Sequence, residues 1–183
     1  EDPDESLEKL SQTGASYWVC YWPWMDSANN ITSDDVKNAI DNSHVLGEKA
    51  KRYGMKFAIH NHDKEFQVVN DELVFDQLIK ATDAELVTFE MDIYWVVKGG
   101  GDPLRFFSDF PGRFELWHMK DLIDNEDKEK TCPGDGILDF GKYLAEADKA
   151  GAKYFIVENE SCPPDEQKNC AISSFEHLTG LQY

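Results

Sequence analysis

The chain is short of positive charge: 18 Lys and Arg stand against 36 Asp and Glu in 183 residues, a formal net charge of -18. A nucleic-acid partner needs clustered Lys and Arg to displace counterions, so this balance argues against a phosphate backbone. It argues equally against an anionic membrane surface. Long apolar runs are also missing. None approaches the roughly 20 residues of a spanning helix, so a soluble chain is expected, with the compartment open between the cytoplasm and an exported, periplasmic location. There are four cysteines, and none has zinc-finger spacing. Cys20 lies in an apolar strand pattern and reads as a small buried hydrophobe, and Cys132 precedes a Pro133-Gly134 turn. Cys162 and Cys170 bracket the polar stretch SCPPDEQKNC, where they either close a disulfide or stay as two thiols. The sequence opens on Glu1 with neither Met nor signal-peptide pattern, which reads as a processed product or a fragment.

What the chain does have is enough apolar residue, 41%, for one buried core, so a single domain over residues 1–183 is expected. Its clearest stretch is Val87 to Asp121. Val87 to Tyr94 is rich in β-branched and aromatic residues and ends in polar ones, and Arg113 to Met119 repeats the arrangement, so both read as strands. Between them Gly99, Gly100 and Gly101 break the chain, Asp102 and Pro103 can open a helix, and Pro111-Gly112 stops it. That is a βαβ unit.

The remainder repeats the unit. A helix end at Ser6 to Gln12 precedes a strand at Ala15 to Trp22. The loop after it carries Trp22 and Trp24, which either wall a pocket or simply pack. Thr32 to Asp35 caps a long helix with Val36, Ile40, Val45 and Ala50 near one stripe, ended by Gly54. A strand at Lys56 to His62 and a helix starting at Asn70 or Asp71 lead into the organising unit. Beyond it come a charged stretch, IDNEDKEKTCPGDG, that reads as a mobile loop, a helix capped by Asp139 and closed by Gly151, a strand at Lys153 to Glu158, and a last helix near Ser173 to Leu178. Five strands alternating with helices predict the α/β class with a parallel sheet.

In such folds chemistry gathers beyond the carboxyl ends of the strands. Four strands here end at His60, Asp92, His118 and Glu158. Two imidazoles and two carboxylates at one topological position suit a divalent metal bound by nitrogen and oxygen, manganese, zinc, cobalt or iron. By strand alternation Tyr154, Ile156 and Glu158 share one face, as do Phe114, Leu116 and His118, so each candidate can point where its neighbours point.

The blocks IHNHDKEF, FEMDIYWVVKGGGDPLRFF, PGRFELWHMKD, PGDGILDF and YFIVENE resemble, in order, those of the sugar phosphate isomerase/epimerase family, the xylose-isomerase-like TIM barrels. The resemblance runs from SYWVCYW to the end of the chain. It implies a (β/α)8 barrel, here a partial barrel of about five βα units, because a whole one takes about 250 residues and eight strands. The first three units have no counterpart, and the remnant's two edges imply either a truncated piece or a complementing chain, including a homo-oligomer. The resemblance carries Asp92, His118 and Glu158 over as metal ligands. At His60 many relatives have Glu, which pairs with the match of Glu158 as a two-carboxylate acid/base pair, so His60 changes the charge of the site. A second acid/base group then falls to His62, Glu65 or Glu90.

The implied activity is proton transfer next to a carbonyl on a small sugar or keto-sugar, with a metal-stabilised enediolate. Glu158 is the expected base, Lys120 holds an oxyanion or pairs with Asp121, and Tyr94, Trp95 and Trp117 offer stacking faces or core packing. Elimination from the same intermediate gives the alternative of a dehydratase, or of a keto-glycoside lyase or hydrolase. A non-catalytic carbohydrate-binding protein is the third reading. The family's DNA-repair relatives are disfavoured by the acidic charge.

Overall fold

The computed structural model describes residues 3–21, 30–159 and 162–183; Trp22 and Trp24 lie outside the described residues. The chain groups into two compact units, Glu1–Glu90 and Met91–Tyr183.

The first unit runs α1 (Pro3–Ser11), β1 (Tyr17–Tyr21), α2 (Ser33–Arg52), β2 (Lys56–His60), a 3-10 turn at Lys64–Phe66, β3 (Val68–Val69), β4 (Glu72–Leu73), α3 (Val74–Ala81) and β5 (Val87–Asp92), whose last two residues belong to the second unit. α2 starts where the sequence places it. Thr32 Oγ1 accepts from the Asp35 amide while Asp35 Oδ2 accepts from the Thr32 amide, a reciprocal cap for two otherwise unpaired donors. Its buried stripe is Val36, Ala39, Ser43, Leu46, Gly47 and Ala50. Val45, expected in that stripe, is exposed, because the 3-4 spacing from Val36 passes one residue beyond it. At Gly47 a Cβ would come within 2.9 Å of Leu86 Cβ and 3.1 Å of its carbonyl oxygen, so α2 meets the chain before β5 at a distance only glycine permits.

Residues Asn70 and Asp71, expected to open a helix, instead form the turn of the β3–β4 hairpin, both with positive φ (54° and 64°). Asn and Asp tolerate that region best among non-glycines, and it is the geometry of a tight primed turn. The helix therefore begins later, at Val74. β1, β2 and β5 run parallel, with Tyr21 opposite His60 and His60 opposite Glu90. Phe57, Ile59, Phe75, Leu78, Ile79, Val87 and Phe89 are fully buried around them.

The second unit continues with α4 (Ile93–Lys98), α5 (Pro103–Asp109), β6 (Leu116–Met119), β7 (Asp121–Leu122), β8 (Lys130–Thr131), α6 (Phe140–Leu144), α7 (Ala147–Ala150), β9 (Tyr154–Val157) and α8 (Gln167–Gly180). β5 stops at Asp92 rather than Tyr94. Asp92 Oδ1 accepts from the Trp95 amide at 3.1 Å and turns the chain into α4. Asp102 caps α5 with Pro103 at its first position, as expected. β6 and β9 pair in parallel, placing His118 opposite Ile156.

The charged stretch after Asp121 is ordered by that residue. Asp121, fully buried, accepts from the amides of Leu122, Gly134, Gly136 and Leu138 at 2.8–3.1 Å, and β8, inside the segment expected to be a mobile loop, pairs with β7 just before it. The hairpin also corrects the cysteine pairing. It delivers Cys132 to the first turns of α8, where Cys132 and Cys170 form the disulfide and Cys162 stays a thiol. Beneath the strands Phe107 stacks on Trp117, their ring planes 2° apart and centroids at 4.5 Å. β1 in the first unit leaves Tyr21 in solvent, and β9 in the second leaves Tyr154, Phe155 and Ile156 there.

Candidate active site at the strand ends

In the second unit the ends of β5, β6 and β9 bring Asp92, His118, Lys120 and Glu158 together. Lys120 Nζ lies 2.6 Å from Glu158 Oε2 and 3.2 Å from Asp92 Oδ2. His118 Nδ1 faces the same two oxygens at 3.4 Å and 3.8 Å. Asp92 has no exposed surface and Lys120 almost none, while the Glu158 side chain is 38% exposed, so the cluster opens toward solvent at Glu158. Burial pushes the Glu158 carboxyl up, but the Lys120 hydrogen bond and charge, with His118 beside it, outweigh that and hold it below the usual carboxylate range.

Lys120 thus pairs with Asp92 and Glu158, not with its neighbour Asp121, whose oxygens are taken by backbone amides. The aromatic candidates divide. Trp117 is buried, its indole N–H donating to the Phe114 carbonyl at 3.0 Å, and belongs to the core. Tyr94 is buried too and donates to the Lys128 carbonyl. Trp95 is partly exposed and sits among three lysines, Lys98, Lys120 and Lys130, whose Nζ atoms lie 5.2–5.8 Å from its ring centre. Lys130 carries no motif that would single it out in the sequence. Burial first, and then the Lys120 charge, push its ammonium below the ordinary range, which ties it electrostatically to the cluster.

The first unit places the remaining candidates around the end of β2. His60 Nδ1 meets Glu90 Oε2 at 2.8 Å, both side chains buried. With a carboxylate as acceptor Nδ1 carries the hydrogen, and Nε2 keeps its lone pair. The His62 ring packs edge-on against His60 at 4.9 Å and against Tyr21 at 5.7 Å. Glu65 is fully buried and accepts from the His62 amide at 2.9 Å. Desolvation raises its carboxyl to about 7, against the pull of the Glu65 and His62 amides and of His60.

Asp92 and His118 of the second unit belong to a group of side chains close enough together to hold a metal ion. Ligand atoms about 2.1 Å from a shared ion lie roughly 3.0–3.5 Å apart, near the 3.4 Å and 3.8 Å that separate His118 Nδ1 from the two carboxylate oxygens. One imidazole and two carboxylates suit a borderline metal better than a soft one.

A family model for the xylose isomerase-like TIM barrel matches residues 8–178. The inosose dehydratase of Lacticaseibacillus casei is 28% identical over 155 residues, covering 75% of this chain and 51% of that protein; the chain spans about half the length of the curated relatives it matches. A crystal structure of a sugar phosphate isomerase/epimerase from Parabacteroides distasonis superposes with a TM-score of 0.77 at 26% identity, over 97% of this chain and 64% of that one. The IOLI protein, whose structure holds a zinc atom, gives 0.74 at 18% identity, over 97% and 65% respectively, a likeness of fold. The partial barrel of about five βα units implied by the sequence is therefore the architecture of this chain, which belongs to the xylose isomerase-like TIM barrel family.

Proposed function

We propose that this protein is a metal-dependent lyase that removes water from a small polyhydroxylated ketone, with Glu158 and Lys120 as its proton-transfer pair. The observation that carries the reading is the contact of 2.6 Å between Lys120 Nζ and Glu158 Oε2 inside the Asp92–His118 cluster. Asp92, His118 and Glu158 are the ligands in this proposal, and His60, at the strand-end position where many relatives have Glu, is proposed with them, its Nδ1 turned to Glu90. A divalent ion bound there supplies Lewis-acid polarisation of the substrate carbonyl.

The residues then account for every proton. The Glu158 carboxylate takes the proton from the carbon next to the carbonyl. Lys120 Nζ gives a proton to the hydroxyl on the following carbon, the C–O bond breaks, and water leaves with the new double bond in place. Proton return from Glu158 to Lys120 across their contact resets the pair. Lys120, Trp95 and Lys130 form the adjacent wall, where a sugar-like ring stacks on the indole and its hydroxyls meet the ammonium groups. The dehydratase relative from Lacticaseibacillus casei supports the same outcome.

Isomerisation or epimerisation is the second reading, favoured by the Parabacteroides distasonis relative. In it Glu158 returns its proton to the neighbouring carbon, whereas epimerisation needs a second acid on the opposite face. Proton NMR of a keto-inositol incubated with the metal-loaded protein in deuterated water separates the two. Loss of water, with an enone product, supports the lyase; deuterium at the carbon next to the carbonyl with all oxygens retained supports the isomerase; an unchanged spectrum with every small polyhydroxy ketone tried contradicts both.

A further inference from the structure

We propose that Cys132, Cys162 and Cys170 form, in the reduced protein, a thiolate site for a soft divalent metal such as zinc, separate from the strand-end cluster. Their sulfur atoms all lie within 4.8 Å of one another. Sulfurs that share a zinc ion at about 2.3 Å are just under 4 Å apart, so opening the Cys132–Cys170 bond leaves three thiols within a small shift of that arrangement. The three come from different places in the second unit: the segment after β8, the segment after β9, and the first turn of α8. The sequence spacing carries no zinc motif, and only the fold assembles the group.

The surroundings suit a cation. Asn159 holds all three cysteines: its side-chain N–H group faces the sulfurs of Cys132 and Cys170, and its Oδ1 accepts from the Cys162 amide at 3.0 Å. Amide donors of this kind steady metal-bound sulfur. Cys170 sits at the start of a fourteen-residue helix, whose positive end favours a thiolate. Asp135 and Glu166 line the same cavity of about 340 Å³ with Cys132, Cys162 and Cys170, so a carboxylate is at hand for the fourth position. Desolvation first, and then the charges of Glu166 and Asp165, push the Cys162 thiol up, an opposition to the thiolate that a bound divalent ion offsets.

Disulfide and metal exclude each other. The disulfide uses two of the three sulfurs and leaves Cys162 over; the metal uses all three. A dithiol reductant interconverts the states. It delivers two electrons and two protons to the Cys132–Cys170 bond and leaves as its own cyclic disulfide, after which the ion displaces the three thiol protons.

Cobalt(II) tests this directly, because sulfur-to-cobalt charge transfer in the near ultraviolet arises only from thiolate ligands. The protein is reduced with a dithiol, freed of reductant without air and titrated. The expected result is one equivalent of cobalt with the sulfur band, displaced by zinc, unchanged in Asp92→Ala and abolished in Cys162→Ser. Cys162→Ser keeps the Cys132–Cys170 pair, so its oxidised form, melting like the parent, certifies the fold. No sulfur band from protein with its thiols confirmed free, or a band that survives in Cys162→Ser, overturns the proposal.

Discussion

In the first unit the carboxylates near the strand ends are turned onto their own neighbours, Glu90 onto His60 and Glu65 onto the His62 backbone, whereas in the second Asp92 and Glu158 converge on one imidazole and one ammonium. A carboxylate turned onto a buried neighbour orients that neighbour. Carboxylates that share a histidine and a lysine at an opening to solvent can bind, release and relay. In the proposed function the proton-transfer pair lies in the second unit, and both units depend on short local devices. Glu90 fixes the tautomer of His60 as Asp92 fixes the start of α4.

Lys120→Met breaks the second arrangement most severely. Turnover is expected to fall by about 10²–10⁴-fold, the range for losing a positioned acid, while bound metal stays. Loss of less than tenfold moves the acid elsewhere, to Lys130 first. The buried Asp92 loses a neighbouring cation in this variant, so melting is followed alongside.

Glu65→Gln sharpens the first unit by a different route. The Glu65 carboxyl titrates at about 7 in the fold, above its ordinary 4.5. Between these values the native state holds the proton that the unfolded chain has lost, so stability falls as pH rises from 4.5 to 7 and levels off above. The shift corresponds to about 3 kcal/mol. Gln stays neutral and keeps an acceptor for the His62 amide, so the stability of the variant relative to the parent should rise over that window. Parallel melting profiles at about pH 4 and about pH 8 would speak against the buried acid.

Glu90→Gln is expected to be milder. It removes the carboxylate from His60 and should weaken metal binding by about 10–100-fold, the usual consequence of losing such a support. Unchanged affinity in a competition titration would leave His60 with a purely structural role.

Most of the site was legible in the sequence because strand-end residues inherit their position from topology. His60 and Asp92 end β2 and β5, His118 lies one residue before the end of β6, and Glu158 just beyond the end of β9. The capping signals were equally local, as Thr32, Asp102 and Asp139 show. What the sequence hid was non-local. Trp117 and Trp95 look alike as aromatic residues near a strand end, yet one is packed on Phe107 and the other lies beside three lysines. The Asn70–Asp71 turn resembles a helix start because the same residue types serve both. The Cys132–Cys170 bond spans 38 residues and depends on the Asp121-anchored hairpin, which no spacing rule encodes.

Metal content by elemental analysis on protein purified without chelator, compared with Asp92→Ala and His118→Ala, tests the central claim most directly. The parent is expected to carry manganese, zinc, cobalt or iron at its strand ends, and each variant to have about one ion per chain fewer, with an unchanged fold. Equal metal in all three proteins, or none in the parent after the ions are added back, would contradict a strand-end metal site.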